Sequence, residues 1–82
     1  MEWKTIDNKL YRKFKLKDFR SAVAFIQLIA FEAEKMDHHP EICNVYNTVE
    51  IRLYTHSAGN VVTALDERLA ATIDEIYNTY FA

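Results

Sequence analysis

The chain has 82 residues, with ten Lys or Arg against twelve Asp or Glu, so its formal net charge is −2. This balance argues against direct binding to nucleic acid or to an anionic membrane, because both require a basic protein surface. No apolar run approaches the roughly 20 residues of a membrane span, and the single cysteine excludes an intrachain disulfide. We expect one domain over residues 1–82, and we place it in the cytoplasm because its start lacks the apolar stretch of a signal peptide.

The first predicted element is a strand over residues 9–17, where apolar and charged side chains alternate. Its apolar side holds Leu10, Phe14 and Leu16. Arg12 interrupts that side. The pattern is typical of a strand with one face against a core.

A helix is predicted next, from an N-cap at Asp18 to about Asp37, because Pro40 prevents its continuation. The stripe expected to face the core consists of Phe19, Ala22, Val23, Ile26, Ile29, Ala30 and Ala33. Three large residues fall beside this stripe, namely Phe25, Leu28 and Phe31. A single sheet would leave them exposed, so we expect another copy of the chain to cover them.

Residues 42–55 are rich in Val, Ile, Tyr and Thr and predict two strands with a turn at Asn47-Thr48. The core side of the second strand is expected to carry Val49, Ile51, Leu53 and Thr55. After a loop over residues 57–60, Thr63 and Asp66 form a capping-box pattern that opens a second helix. Its apolar face is predicted to hold Leu65, Leu69, Ile73, Ile76 and Tyr80. This order predicts an α+β fold, a two-layer sandwich of an antiparallel sheet with helices packed on one face.

The three histidines lie near the predicted ends of elements, His38 and His39 after the first helix and His56 after the last strand. Imidazole exchanges protons near neutral pH, so these residues suit acid–base catalysis. The alternative is that all three are ordinary turn and strand-end residues. No pair of histidines has the i, i+4 spacing that aims two rings at one ion, so we expect no metal site. Cys43 is expected to be a small buried apolar residue.

Four short segments form an ordered pattern: residues 33–41 (AEKMDHHPE), residues 44–47 (NVYN), Thr55-His56 and residues 66–70 (DERLA). An acidic residue stands four positions before the His-His-Pro triplet, a His follows Tyr46 by ten residues, and Asp66 comes ten later. Together these segments resemble the pterin-4a-carbinolamine dehydratase family.

The resemblance implies a hydro-lyase that removes water from 4a-hydroxytetrahydropterin to give quinonoid dihydropterin, without a cofactor or a metal. It implies an active site formed by His38, His39 and His56. The substrate contacts are expected from Glu34, Asp37, Thr55 and Ser57, with Glu34 alternatively an exposed helix residue. The resemblance leaves two roles open for Asp66, a helix cap or a member of the site.

The resemblance also implies a homodimer or homotetramer, and some animal members of the family bind a homeodomain transcription factor. The alternative function is therefore a non-catalytic interaction or coactivator module with the same fold. The sequence does not identify such a protein partner.

Overall fold

The computed structural model describes residues 2–82 and arranges them as four strands and two long helices. In chain order these are β1 (Lys4–Ile6), β2 (Lys9–Lys15), α1 (Phe19–Met36), β3 (Glu41–Val45), β4 (Thr48–Leu53) and α2 (Ala64–Tyr80). A short 3₁₀ helix, His56–Ala58, lies between β4 and α2. All strand pairs are antiparallel, in the order β1-β2-β4-β3. The predicted α+β sandwich is confirmed.

One core lies between the sheet and the two helices. Its members include Phe14 from β2, Val49 and Ile51 from β4, and the helix residues Ile29 and Ile73. Because residues of both helices join the same cluster as the inward row of β4, both helices cover one face of the sheet. Neither helix of the described chain has the length and apolar character needed to cross a bilayer.

The strand β1 was not predicted from the sequence. It pairs with β2 through a two-residue turn in which Asp7 and Asn8 have φ of 52° and 65°. Positive φ at both positions matches the twist of a tight hairpin, and Asp and Asn tolerate it better than most residues. All three residues of β1 are exposed. The strand therefore lacks the alternation of buried and exposed side chains by which β4 could be predicted.

The helix α1 begins as predicted, with the Asp18 side chain accepting from the Ser21 backbone N–H at 2.8 Å. Its buried residues are Ala22, Phe25, Ile29 and Ala33. The expectation that Phe25 lies outside the core is wrong, because its side chain is 0% exposed and packs on the Phe14 and Tyr77 rings. Phe19, assigned to the core stripe, is instead 53% exposed at the first turn. Helix α2 covers the Phe25 side, so the buried stripe is rotated from the predicted one.

The turn between β3 and β4 falls at Tyr46-Asn47, one residue earlier than predicted, with Tyr46 at φ 51°. Asn47 fixes it to the end of β2, because its backbone carbonyl accepts from Leu16 N–H at 2.7 Å and its amide donates to Leu16 at 3.1 Å. Cys43 is exposed, which corrects the expectation that it is buried. Alternation along β3 turns Cys43 to the outer face while Ile42 packs against the core.

Helix α2 opens with the predicted capping box between Thr63 and Asp66. Its buried residues are Asp66, Leu69, Ala70 and Ile73. Leu65 and Tyr80, the two ends of the predicted apolar face, are exposed. The side of α2 that packs on the core instead includes Asp66 at its start and Tyr77 near its end.

Arg12, which interrupts the apolar side of β2, is accommodated by a local cluster. Its guanidinium lies 4.2 Å from the Phe14 ring centroid, and Nη1 is 2.6 Å from the Asp74 carboxylate. Asp74 also accepts from the Trp3 indole N–H at 2.8 Å. The Arg12 charge is thus paired and stacked, which offsets part of the cost of placing it beside the core.

Candidate functional site

An open cavity of about 500 Å³ lies where the end of α1, the end of β4 and the start of α2 meet. Its lining residues are Asp37, His38, His39, Tyr54, Thr55, His56, Ser57 and Leu65. All three histidines therefore reach one cavity, although they come from two segments of the chain.

The backbone at the end of α1 places the two adjacent histidine side chains in different environments. Asp37 adopts a left-handed conformation with φ 50°, and its N–H donates to the Glu34 carbonyl at 3.1 Å. The His38 N–H then donates to the Ala33 carbonyl, also at 3.1 Å. This C-terminal capping arrangement reverses the backbone, so His38 is buried while His39 stays exposed.

His38 is held by a fully buried carboxylate. Its Nε2 lies 2.5 Å from Asp66 Oδ1, and Asp66 is 0% exposed. The other carboxylate oxygen, Oδ2, accepts from the Thr63 backbone N–H and the Thr55 hydroxyl, each at 2.8 Å. One side chain thus caps α2 with one oxygen and orients His38 with the other.

His39 and Glu34 form an exposed pair outside this buried network. His39 Nε2 lies 2.9 Å from Glu34 Oε1, and both side chains are exposed. With Nε2–H donating to the carboxylate, Nδ1 is the ring nitrogen left for another partner. Glu34 does not line the cavity and contacts it only through His39.

His56 opens the 3₁₀ helix that follows β4. Its Nδ1 donates to the Asn60 carboxamide oxygen at 2.8 Å, so Nε2 is left for another partner. The loop closes on Thr55, whose carbonyl accepts from Ala58 N–H at 3.2 Å and from Asn60 N–H at 3.1 Å. Gly59, at φ 92°, supplies the left-handed turn that ends the 3₁₀ helix.

Six of the seven residues singled out from the sequence line this cavity, and Glu34 is the exception. The Thr55 hydroxyl is already engaged by Asp66 and Thr63, whereas Asp37 and Ser57 are exposed. Sequence reasoning did not single out Tyr54 or Leu65 as lining residues. It also left open whether Asp66 does more than cap α2, since its proximity to His38 depends on tertiary packing over 28 positions.

The arrangement offers proton exchange at two separate places on a small ligand. His39 and His56 are exposed and come from different segments, while His38 is buried and held by Asp66. Within residues 2–82 no three His, Cys, Asp or Glu side chains are grouped so that they could hold a metal ion. The cavity lining provides imidazoles, a carboxylate and hydroxyls as the polar groups.

The sequence of this chain is similar to those of known proteins. The sequence model described as "Pterin 4 alpha carbinolamine dehydratase" matches residues 1–76. A Solibacter usitatus protein is 46% identical over 74 residues, covering 90% of this chain and 77% of the relative. A Paraburkholderia xenovorans protein is 54% identical over 67 residues, covering 82% of this chain and 69% of the relative. Both carry the name "Putative pterin-4-alpha-carbinolamine dehydratase".

Two solved structures share the fold. A transcriptional coactivator/pterin dehydratase from Brucella melitensis has a TM-score of 0.87 and 44% identity, over 92% of this chain and 81% of that one. A pterin dehydratase-like protein, a RuBisCO assembly factor in the alpha-carboxysome, has a TM-score of 0.77 over 93% of this chain and 89% of that one. At 22% identity, the second likeness concerns the fold alone.

Proposed function

Because the chain belongs to the pterin 4 alpha carbinolamine dehydratase family, we propose that it removes water from a 4a-hydroxytetrahydropterin to give the quinonoid dihydropterin. The observation that carries this proposal is that His39 and His56, from two segments, are both exposed on one cavity with His38 beside them. Such a pair suits a reaction that needs one proton delivered and another removed.

The reaction breaks the C4a–O bond and removes the proton from the adjacent ring nitrogen. The hydroxyl leaves as water after it accepts a proton from one imidazolium, and the electron pair of the N–H bond forms the new C4a=N bond. A second imidazole takes up the nitrogen's proton. The histidines finish with the same total number of protons, and exchange with water restores their starting forms.

The buried carboxylate of Asp66 acts here as a positioning group, since it is wholly enclosed and does not line the cavity. It holds Nε2 of His38 and leaves Nδ1 for the substrate. Glu34 does the same for His39 at the surface. We assign Thr55 to the support of Asp66, and we assign contacts to the pterin ring to Asp37 and Ser57.

The test is the dehydration of a synthetic 4a-hydroxytetrahydropterin with and without the protein. We expect the purified chain to accelerate the loss of water, and a His39→Ala/His56→Ala double variant to lose that acceleration while remaining folded. A wild-type protein that leaves the spontaneous rate unchanged would contradict the proposed function.

A second candidate is a non-catalytic interaction or coactivator module. The supporting observation is the description of the 44% identical Brucella melitensis protein as a transcriptional coactivator as well as a pterin dehydratase. This function requires a protein partner whose binding survives the His39→Ala/His56→Ala double change. For either function we propose a cytoplasmic location, because reducing conditions suit the exposed thiol of Cys43.

A further inference from the structure

Tyr54, which lines the cavity, has Lys9 beside its ring. The β2–β4 register pairs Leu10 with Leu53, so its continuation by one residue sets Lys9 opposite Tyr54. The Lys9 ammonium lies 4.4 Å from the centroid of the Tyr54 ring. Since Tyr54 lines the cavity that holds the three histidines, the Lys9 charge stands at the edge of that cavity.

The Lys9 ammonium is available to pair with an anionic ligand. Within residues 2–82 Lys9 is in no ion pair, and its ammonium lies over the face of the Tyr54 ring. The nearby cation Arg52 is already occupied, because it lies 3.9 Å from Glu41 and stacks on the Tyr11 ring at 4.8 Å. A cation over an aromatic ring keeps a defined place without a carboxylate partner.

The cavity lining also carries a negative charge. Asp37, at the end of α1, is exposed on the lining. A pterin has an amino group and an N–H at the pyrimidine end, which suit a carboxylate, and it carries its variable substituent at the far end. Asp37 and Tyr54 follow different elements, α1 and β4, so a pterin whose donors meet Asp37 can place its substituent against Tyr54.

We propose that Tyr54 and Lys9 select pterins whose ring substituent bears an anionic group, a carboxylate or a phosphate. This inference rests on the proposed function, since it assumes that the cavity holds a pterin. Tyr54 provides an apolar wall for the substituent, and Lys9 pairs with the negative charge at its end. Lys9 and Tyr54 contact the substituent rather than the reacting atoms, so they determine specificity and are not catalytic residues.

The test uses stable, oxidised pterins, whose binding is measured by quenching of their fluorescence. The probes are 6-hydroxymethylpterin, its monophosphate and pterin-6-carboxylate, which separate the neutral substituent from the two anionic ones. We expect at least one anionic probe to bind about fivefold more tightly than the neutral one, the effect of one favourable charge pair at a partly exposed site. Raising the salt concentration should reduce that preference.

Two variants at position 9 and one matched control complete the experiment. Lys9→Gln should abolish the preference, and Lys9→Glu should reverse it, because each changes the charge beside Tyr54. Lys13→Gln removes an exposed lysine from the same face of β2, opposite Glu50, and should leave the preference intact.

Equal binding of all three probes, or a preference that persists in Lys9→Gln, would overturn the inference. If a carbinolamine with a neutral substituent is still dehydrated in that case, the proposed function stands without the selectivity. If none of the probes binds and no dehydration occurs, both proposals fail.

Discussion

The two oxygens of Asp66 serve different parts of the molecule. Oδ2 accepts from Thr63 N–H at the start of α2, and Oδ1 lies against His38 at the edge of the cavity. Enclosure from water strengthens both interactions and makes the loss of either one costly. A change at this residue should therefore affect helix stability and histidine geometry together.

We predict that Asp66→Asn reduces both stability and the dehydration rate. An amide of the same shape cannot accept at both positions, so at least one buried donor loses its charged partner, at a cost of about 1–3 kcal/mol. Misplacement of His38 should lower kcat by about tenfold or more. Urea unfolding and initial rates measure the two effects separately.

Asp74→Asn is the matched control for that prediction. Asp74 is also a partly enclosed carboxylate, holding Trp3 and Arg12, but it lies outside the cavity lining. The Asp74→Asn change should lower the free energy of unfolding while kcat stays within about twofold of wild type. The partners of Asp74 touch no reacting atom. If both variants lost kcat equally, the loss in Asp66→Asn would be explained by lower stability and not by the position of His38.

We further predict that His39→Ala and His56→Ala each lower the dehydration rate by about 10²-fold or more, the usual scale for a lost proton-transfer group. Both side chains are exposed, so the variants should unfold at nearly the wild-type urea concentration. The measurement is kcat/KM on a synthetic carbinolamine. Wild-type rates in both folded variants would remove these residues from the mechanism.

The site could be predicted from the sequence only as a set of candidate residues. The histidines stand out because they fall at the ends of elements, and Glu34 precedes His38 by one helical turn. The contact between His38 and Asp66 joins residues 28 positions apart and follows from how α2 crosses α1. A capping box explains Asp66 fully at the local level, so nothing in the sequence indicated its second partner.

The start of α1 gives a pH-dependent prediction at the scale of one helix. The Ser21 backbone N–H, which donates to Asp18 at 2.8 Å, lowers the pKa of that carboxyl from its ordinary value of 3.8. A lowered pKa means that the folded protein favours the carboxylate. The stabilisation is present above the unfolded-state pKa and is lost as the pH falls through the folded-state pKa.

Asp18→Asn should therefore lower stability near neutral pH and have less effect in acid, because asparagine caps the helix without a charge. Urea midpoints of both proteins at neutral pH and at about pH 3 measure this difference. Asp7→Asn, a loss of one exposed carboxylate outside any helix, controls for the change in net charge. A stability difference that is independent of pH would contradict an electrostatic contribution from the cap.

The elements that could be predicted are those whose signals are local. The Asp18 cap, the Thr63–Asp66 box and the alternation of Val49, Ile51 and Leu53 each appear in the sequence as they do in the fold. The position of Phe25 depends on which side of α1 meets α2, which periodicity within one helix does not determine. Strand β1 has no buried residue, and only its turn residues could have revealed it.

The helix layer leaves a cleft of about 310 Å³ on the molecular surface, with both apolar and polar lining residues. It is lined by Leu28, Phe31, Glu32, Thr72, Glu75, Ile76, Thr79 and Tyr80. Phe31 is 65% exposed there, and Tyr80 is 69% exposed. The self-association expected from the sequence would use this cleft, with Phe25 no longer part of the interface because it belongs to the core.

We predict that the protein associates and that Phe31→Glu weakens the assembly at least tenfold. Burial of a phenylalanine contributes about 1.5–3 kcal/mol, and a charge in its place would have to be desolvated. Sedimentation equilibrium at micromolar concentration gives the association constant. Phe19→Glu changes another exposed phenylalanine, 53% exposed and outside the cleft, and should leave the assembly unchanged.

A wild-type protein that sediments as a monomer would refute the association. An assembly that persists in Phe31→Glu would assign the interface to another surface.

The exposed thiol of Cys43 on the outer face of β3 affects any such measurement. Thiols of two molecules can oxidise in air to an intermolecular disulfide, and the resulting covalent pair would sediment like a genuine dimer. A reductant or a Cys43→Ser variant removes that artefact. The same lone thiol also gives chemists a single defined attachment point for a spin label, through which distances between assembled copies could be measured.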